Sequence, residues 1–380
     1  MGRRLTHHIS KIIHAQSRLR NCFGKKNRDT VLIVRVDAIG DFVLFRPSLP
    51  YFQKLFPDRK MVLLTTCINC GLIANESLVD QIIPFERGRF LADLLYQHRV
   101  LAELRNAAPK IAVYPAYTRE GYVDRLIYAS GATERIAFHD NREKSRRVRK
   151  RNSMFTRLIA PDQQVCHEVE RNTEFLRHLG ATVTNYDLAL VTSREDEKFA
   201  QETLQILPSR VPVIVLAPGG SDPRRIWPIE YYVDATRRLA ESFEVAFVLV
   251  GSQEEFPLGD QIATALPGRC VNCLGKTTLL QAYAIMKFGT LYLGNDTGPK
   301  HIAAAAGLPV VEISCHPRGG DLRHHNSPRR FGAYGVRACV LQPEPQPPCT
   351  DVCVAGKAHC ITNVSSESVF DAVAGLLKGK

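Results

Sequence analysis

Asp296, Thr297, Gly298, Pro299 and His301 fall within six residues of one another, in the stretch GNDTGPKHIAAAAGLPVVEI from Gly294 to Ile313. An apolar run, TLYL, precedes them and an alanine-rich segment follows. Asp296 or Thr297 can cap a helix beginning here. Gly298 permits close backbone approach, and Pro299 is tolerated in a first turn. Exposed N–H groups and the helix dipole then favour an anion, most simply a phosphate. His301, one turn in, can reach the same anion. The bland alternative is a well-capped helix whose polar residues serve folding alone.

Three further loops carry candidate chemistry. APGGSDPRRIWP, from Ala217 to Pro228, offers Gly219, Gly220 and Ser221 for close approach to a phosphate, and Arg224 or Arg225 to neutralise it. The sole tryptophan, Trp227, is expected to anchor a helix rather than stack a base. VGSQEE places Glu254 where a ribose or base can lie, although glutamates also suit helix starts. RVDAIGDFVLFRP is acidic instead, with Asp37 and Asp41 around the turn-forming Gly40. A carboxylate at Asp41 is stable at a helix N-terminus and can serve as a general base.

The elements that must position these loops alternate regularly. VLIVRV, MVLLTT, QIIPF, KIAVYP and ERIAFH read as strands, separated by helical stretches such as LADLLYQHRVLAELRNA and VDRLIYAS. A helix is expected across FVLFRPSLPYFQKLF. The pattern pauses from Thr182 to Pro212, then restarts with strands VPVIVLAP, EVAFVLVGS, RCVNCL, TLYLGN and LPVVEIS between further helices. Buried strands spaced by amphipathic helices imply parallel sheets covered on both faces. Two such arrays predict two Rossmann-like domains facing a central cleft, with ligands beyond the carboxyl ends of the strands. The expected division is a basic amphipathic segment 1–28, domains 29–190 and 191–364, and a C-terminal helix in 365–380.

The 380 residues suffice for two cores, and no run of about 18 apolar residues suggests a transmembrane helix. No signal-peptide core is visible, so a cytoplasmic location is expected. The net charge of +12 is concentrated in the first 28 residues and in NREKSRRVRKR, Asn141 to Arg151. Such patches suit anionic partners, but no interleaved aromatics or RNA-binding motif points to nucleic acid. Eleven cysteines are scattered along the chain, and reduced thiols are the default in a cytoplasmic protein. Cys349, Cys353, His359 and Cys360 could supply four zinc ligands. The adjacency of His359 and Cys360 strains such a set, so packing thiols are expected and no metal is assigned.

Taken together, VLIVRVDAIGDFVLFRPSLP, LAPGGSDPRRIWPIEYY, VLVGSQEE and YLGNDTGPKHIAAAAGLPVV resemble glycosyltransferase family 9, the bacterial ADP-heptose:lipopolysaccharide heptosyltransferases. The matching blocks span most of residues 30 to 315. The resemblance implies an α/β GT-B fold with acceptor mainly on the N-terminal domain and sugar nucleotide mainly on the C-terminal one. Asp41 corresponds to the family's proposed general base. Asp296, Thr297, Gly298 and His301 match its donor-binding block, joined by Gly219, Gly220, Ser221, Arg225 and Glu254. Asp37 and Arg46 fall on the acceptor side. Arg225 stands where known heptosyltransferases often carry lysine, which preserves charge but changes geometry. Gly220 replaces a hydroxyl residue found in some members.

The function so implied is inverting transfer of a sugar, heptose from ADP-heptose by resemblance, to a lipopolysaccharide core or related surface glycan. No cofactor or metal is required, because arginine and dipoles can balance the leaving diphosphate. An anionic lipid-linked acceptor gives the basic segments a rationale as peripheral contacts at the inner membrane. Competing readings are a family member using another nucleotide sugar, a GT-B sugar-nucleotide epimerase, and a non-catalytic nucleotide-sugar-binding scaffold.

Overall fold

Thr30–Arg35 (β1) consists of β-branched and apolar residues closed by an arginine, and all six are buried. Continuous burial of that kind needs neighbours on both edges and cover on both faces. A computed structural model describes residues 29–140 and 145–379 and supplies them. β1 lies between Lys60–Thr66 (β2) and Pro109–Tyr114 (β4), parallel to both. Gln81–Phe85 (β3) flanks β2, while Glu134–Phe138 (β5) and Arg157–Ile159 (β6) extend the other side. The order is β3-β2-β1-β4-β5-β6.

A second sheet repeats the plan with Val213–Ala217 (β7), Ala246–Leu249 (β8), Cys270–Asn272 (β9), Leu291–Asn295 (β10), Val310–Ile313 (β11) and Ala338–Leu341 (β12). Its order, β12-β11-β10-β7-β8-β9, is the same doubly wound sequence, and every pairing is parallel. In such sheets the order reverses between the first and fourth strands, here β7 and β10, and their loops diverge to leave a crevice.

The chain divides into two units. The first runs through Ala38, then takes Phe45–Val165 and Val169–Tyr186; the second takes Ile39–Leu44, Cys166–Glu168 and everything from Asp187. Each unit has its own core. In the first, Leu32, Val34, Leu64 and Tyr114 pack with the helices Leu94–Asn106 and Gly121–Ser130. In the second, Leu216, Leu249 and Leu293 pack with Trp227 and Tyr232. Val369 and Val373 of the C-terminal helix Ser366–Leu377 complete that core rather than standing apart from it.

Several local expectations are corrected. The long helix anticipated after β1 breaks into Ile39–Phe45, a 3-10 turn Arg46–Ser48 and Leu49–Leu55. Pro47 and Pro50 lack the N–H groups a continuous helix needs. Asp93 divides another, because its Oδ1 accepts from Leu95 N (2.9 Å) and Tyr96 N (3.1 Å) and starts a new helix there. The pause contains a helix, Arg194–Leu204, opened by a Ser193/Asp196 capping box. The unforeseen strands β6 and β12 are edge strands of only three and four residues, too short to show a strand period in the sequence.

The basic cluster Asn141–Arg151 is also changed in meaning. Within its described part, Arg146–Asn152 is a helix on which Arg146, Arg147, Arg149 and Lys150 are exposed. Arg151 turns inward. Its Nε donates to Asp124 Oδ2 at 2.7 Å and its Nη1 lies 3.1 Å from Asp140. Asp124, wholly buried, also receives two 3.0 Å bonds from Arg119. Removing one partner of such a network leaves buried charge uncompensated. Asp124→Ala is therefore expected to lower unfolding free energy by about 3–5 kcal/mol in chemical denaturation. A change within 0.5 kcal/mol, the ordinary surface range of about ±0.5, would contradict a structural role.

Candidate functional site at the switch point of the second sheet

Asn295 ends β10 with its side chain fully buried, and four hydrogen bonds account for it. Nδ2 donates to Pro218 O (2.8 Å) and Gly219 O (3.0 Å) in the loop after β7. Oδ1 accepts from Trp227 N (3.2 Å) and the Tyr232 hydroxyl (3.1 Å). One amide thereby fixes the loop after β7 to the end of β10. Trp227 is an anchor, as its sequence context suggested. Its ring is buried edge-on to Tyr232, and Nε1 donates to Val364 O at 2.8 Å.

The glycines set how closely the loops approach. A Cβ on Gly220 would lie 3.0 Å from Thr297 Cγ2, so these two residues touch across the crevice. One on Gly219 would lie 2.0 Å from Glu255 Cδ. Glu255, not Glu254, is the glutamate that turns back to this loop. Its Oε2 accepts from Ser252 N at 2.8 Å in a capping box, while Glu254 is exposed. Ser221 is exposed as well.

Thr297 occupies the N-cap position of the helix Gly298–Ala305, yet no side chain caps that helix. Its Oγ1 instead donates to Asn295 O at 3.4 Å. The capping expected of Asp296 is absent for a different reason. Asp296 Oδ1 takes a 2.6 Å ion pair from Lys300, one turn on and entirely buried. Lys300 Nζ also lies 3.1 Å from Glu312 Oε2 and donates to Phe331 O at 2.8 Å. Burial opposes the Lys300 charge, but Asp296 and Glu312 outweigh it and raise its pKa. Burial conversely pushes the Glu312 carboxyl up, against the pull of Lys300. With its three donors engaged inside the fold, Lys300 is spoken for.

Arg225 faces this end of the sheet. Its Nη1 donates to Asp296 O at 3.2 Å, with Oδ2 of Asp296 at 3.6 Å, and its Nη2 donates to Asn326 Oδ1. Arg224 turns aside to grip Asp222, through Nε at 3.0 Å and Nη2 at 2.6 Å. That pair holds the Asp222 carboxyl down at about 2.

The segment Ile39–Leu44 belongs by its contacts to the same unit. Ile39 Cβ sits 3.0 Å from where a Gly298 Cβ would be, and a Cβ on Gly40 would lie 2.4 Å from His301 Cδ2. Asp41 follows directly, half-buried in the first turn of Ile39–Phe45. His301 is buried, and burial, Lys300, His167 and Arg225 lower its pKa well below 6.5. It is therefore a neutral imidazole near pH 7, not a cation for an anion to pair with.

Asp37 and Arg46 belong to the first unit. Asp37 Oδ2 is 2.7 Å from Arg35 Nε in the first unit. Arg46 is a bidentate partner of Glu76, through Nε to Oε1 at 3.0 Å and Nη2 to Oε2. The positions that sequence reasoning passed over are Asn295, Lys300, Glu312, Asn326 and Glu255. Asn295 and Lys300 sit inside the stretch that drew attention first, but polar residues there read equally as turn formers. Residues 1–28, including the expected amphipathic segment, lie outside the described residues.

The family model "Glycosyltransferase family 9 (heptosyltransferase)" matches residues 126–353. Lipooligosaccharide heptosyltransferase 2 of Haemophilus influenzae is 35% identical over 123 residues, 31% of this chain and 34% of its own length. The lipopolysaccharide core heptosyltransferase OpsX of the same organism is 22% identical over 285 residues, covering 75% of this chain and 78% of that protein. The matched region thus spans about a third of the first relative. Among solved structures, a family 9 glycosyl transferase from Veillonella parvula superposes with a TM-score of 0.72 at 18% identity, covering 94% and 99% of the two chains. E. coli ADP-heptose lps heptosyltransferase II gives 0.67 at 19%, covering 92% and 99%. E. coli heptosyltransferase WaaC, solved with ADP-2-deoxy-2-fluoro heptose, gives 0.66 at 17%, covering 91% and 99%. The fold is a two-domain α/β GT-B fold.

The depressed His301 pKa has a consequence for stability. Below the unfolded value of about 6.5 the unfolded chain binds a proton that the folded one refuses, so stability falls with pH. The urea midpoint is expected to drop between pH 7 and pH 5, and to drop less in His301→Gln. Equal drops in the two proteins would contradict the assignment.

Proposed function

Because the chain belongs to glycosyltransferase family 9, we propose that it transfers a sugar from a nucleotide-diphosphate donor, ADP-heptose in the first instance, to a lipopolysaccharide core or related glycan. The observation that carries this is the pairing of the uncapped helix start at Gly298 with the Arg225 guanidinium. Both lie where the Asn295 clamp draws the β7 and β10 loops together. A diphosphate suits that place, since backbone N–H groups and a guanidinium both favour anionic oxygens. Gly219, Gly220 and Ser221 would line its approach, and Thr297 and His301 would supply neutral contacts. Asp296 would act through Lys300 and Arg225 rather than by meeting the donor's phosphates.

In this reaction Asp41 takes the proton of an acceptor hydroxyl. The oxygen attacks the anomeric carbon, the bond from that carbon to the diphosphate breaks, and the nucleotide diphosphate leaves with the electron pair. Attack opposite the leaving group inverts the anomeric centre. Arg225 and the Gly298 amide end stabilise the charge that develops on the departing oxygen. ADP-heptose is favoured as donor because one protein of the same fold, E. coli heptosyltransferase WaaC, was solved both with ADP and with ADP-2-deoxy-2-fluoro heptose. Arginine at 225 leaves a different nucleotide sugar as the second reading.

Calorimetric titration with ADP-heptose beside UDP-, GDP- and CDP-sugars tests the donor. Arg225→Ala is expected to weaken ADP-heptose binding about 10–100-fold, the worth of one charge-assisted contact. Asp41→Asn should bind normally but lose about 10²–10⁴-fold in turnover, as removal of a general base does. Preference for another nucleotide would move the assignment to that sugar. Turnover without an acceptor would favour an epimerase, and unimpaired turnover in Asp41→Asn would exclude the proposed base.

An anionic lipid-linked acceptor would bring the protein to the cytoplasmic face of the inner membrane. No helix among the described residues is long and apolar enough to cross a membrane. Exposed Arg146, Arg147, Arg149 and Lys150 offer a cationic face, and the first 28 residues add to the charge. Full-length protein should sediment with phosphatidylglycerol vesicles more strongly than a chain beginning at residue 30. Equal sedimentation would remove the N-terminal segment from the account.

A further inference from the structure

Between β12 and the C-terminal helix the chain has little regular structure, and its buried cluster is Cys349, Cys353 and Cys360 with Ala355 packed against them. Three thiols and an alanine make a poor hydrophobic core. Their geometry explains the burial differently. The donor atoms of Cys349, Cys353, His359 and Cys360 all lie within 4.8 Å of one another. His359 Nδ1 is 3.6 Å from Cys349 Sγ and 3.5 Å from Cys360 Sγ. A tetrahedron with Zn–S near about 2.3 Å and Zn–N near about 2.05 Å has S···N edges of about 3.5 Å. The adjacency of His359 and Cys360, which seemed to disfavour a shared ligand set, does not prevent their donor atoms from converging.

The surroundings are those of thiolates. Val354 N points to Cys349 Sγ at 3.4 Å and Gln346 N to Cys360 Sγ at 3.5 Å. Such N–H groups orient and tune metal-bound sulfur. The Gln346 side chain holds the turn that carries His359 and Cys360, through bonds to His359 O (3.2 Å) and Asn363 Oδ1 (2.7 Å). We infer that Cys349, Cys353, His359 and Cys360 form a closed structural zinc site that fixes the segment between β12 and the last helix. Three soft thiolates and one imidazole in tetrahedral array select zinc, and four protein ligands leave no open position for catalysis. The site also has a mechanical partner. Arg224 Nη1 donates to Cys353 O at 3.4 Å, so the metal loop abuts the β7 loop beside Arg225.

Elemental analysis of the full chain, purified without chelators, should find one zinc per chain. Cobalt exchanged into the site should give thiolate charge-transfer bands and intense tetrahedral d–d bands. Cys353→Ser should reduce bound zinc more than about tenfold, as loss of one of four ligands does. If that variant fails to fold, titrating wild type with a mercurial in the presence of a metallochromic dye reads the same site. Zinc should then appear as the cysteine thiols react. Wild type holding less than about a tenth of an equivalent of zinc after refolding with zinc present would overturn the proposal. An equivalent of iron instead would overturn the choice of metal, and a disulfide among these cysteines with no metal bound would overturn the site itself.

Discussion

Asn295 is the constraint on which the second unit's site rests. A doubly wound sheet parts its loops where strand order reverses, and something must hold the parted loops at a fixed separation. Here a single buried amide satisfies two carbonyls after β7, one backbone N–H and one hydroxyl. No aliphatic residue can replace it without orphaning buried polar groups, each costing about 1–3 kcal/mol. The glycines on either side follow from that closeness. Gly219 yields to Glu255 and Gly220 to Thr297, while Gly298 yields to Ile39.

Charge follows the same logic one layer deeper. Lys300 is buried without solvent, so Asp296, Glu312 and the Phe331 carbonyl surround it. A buried cation stripped of one such partner is strongly destabilised. Asp296 is accordingly half of a structural pair, which changes what its substitution would mean: loss of ligand binding in Asp296→Ala would not separate recognition from folding. Arg225 is half-buried and rests on Asp296 and Asn326, so it is the cleaner probe.

Much of this was legible in the sequence, and the boundary between legible and hidden has physical causes. Both βα arrays were readable because strands buried on two faces are continuous apolar runs. The loops after β7 and β10 were readable because glycine, proline and short polar residues mark turns with special backbone needs. Partner choice was not readable. That Glu255 rather than Glu254 turns inward depends on a capping box closing on Ser252. That Arg46 and Arg151 are paired depends on Glu76 and Asp124, respectively thirty and twenty-seven residues away. The convergence of His359 with three cysteines likewise needs the turn held by Gln346. Neither spacing nor composition encodes such meetings across the fold.

Amide hydrogen exchange on the full chain, with and without ADP-heptose, tests the central claim most directly. The account predicts slowed exchange at Gly219–Ser221 and across Gly298–His301, with little change in the loops after β2 and β4. Protection confined to those first-unit loops, with Gly219–Ser221 and Gly298–His301 unaffected, would contradict it.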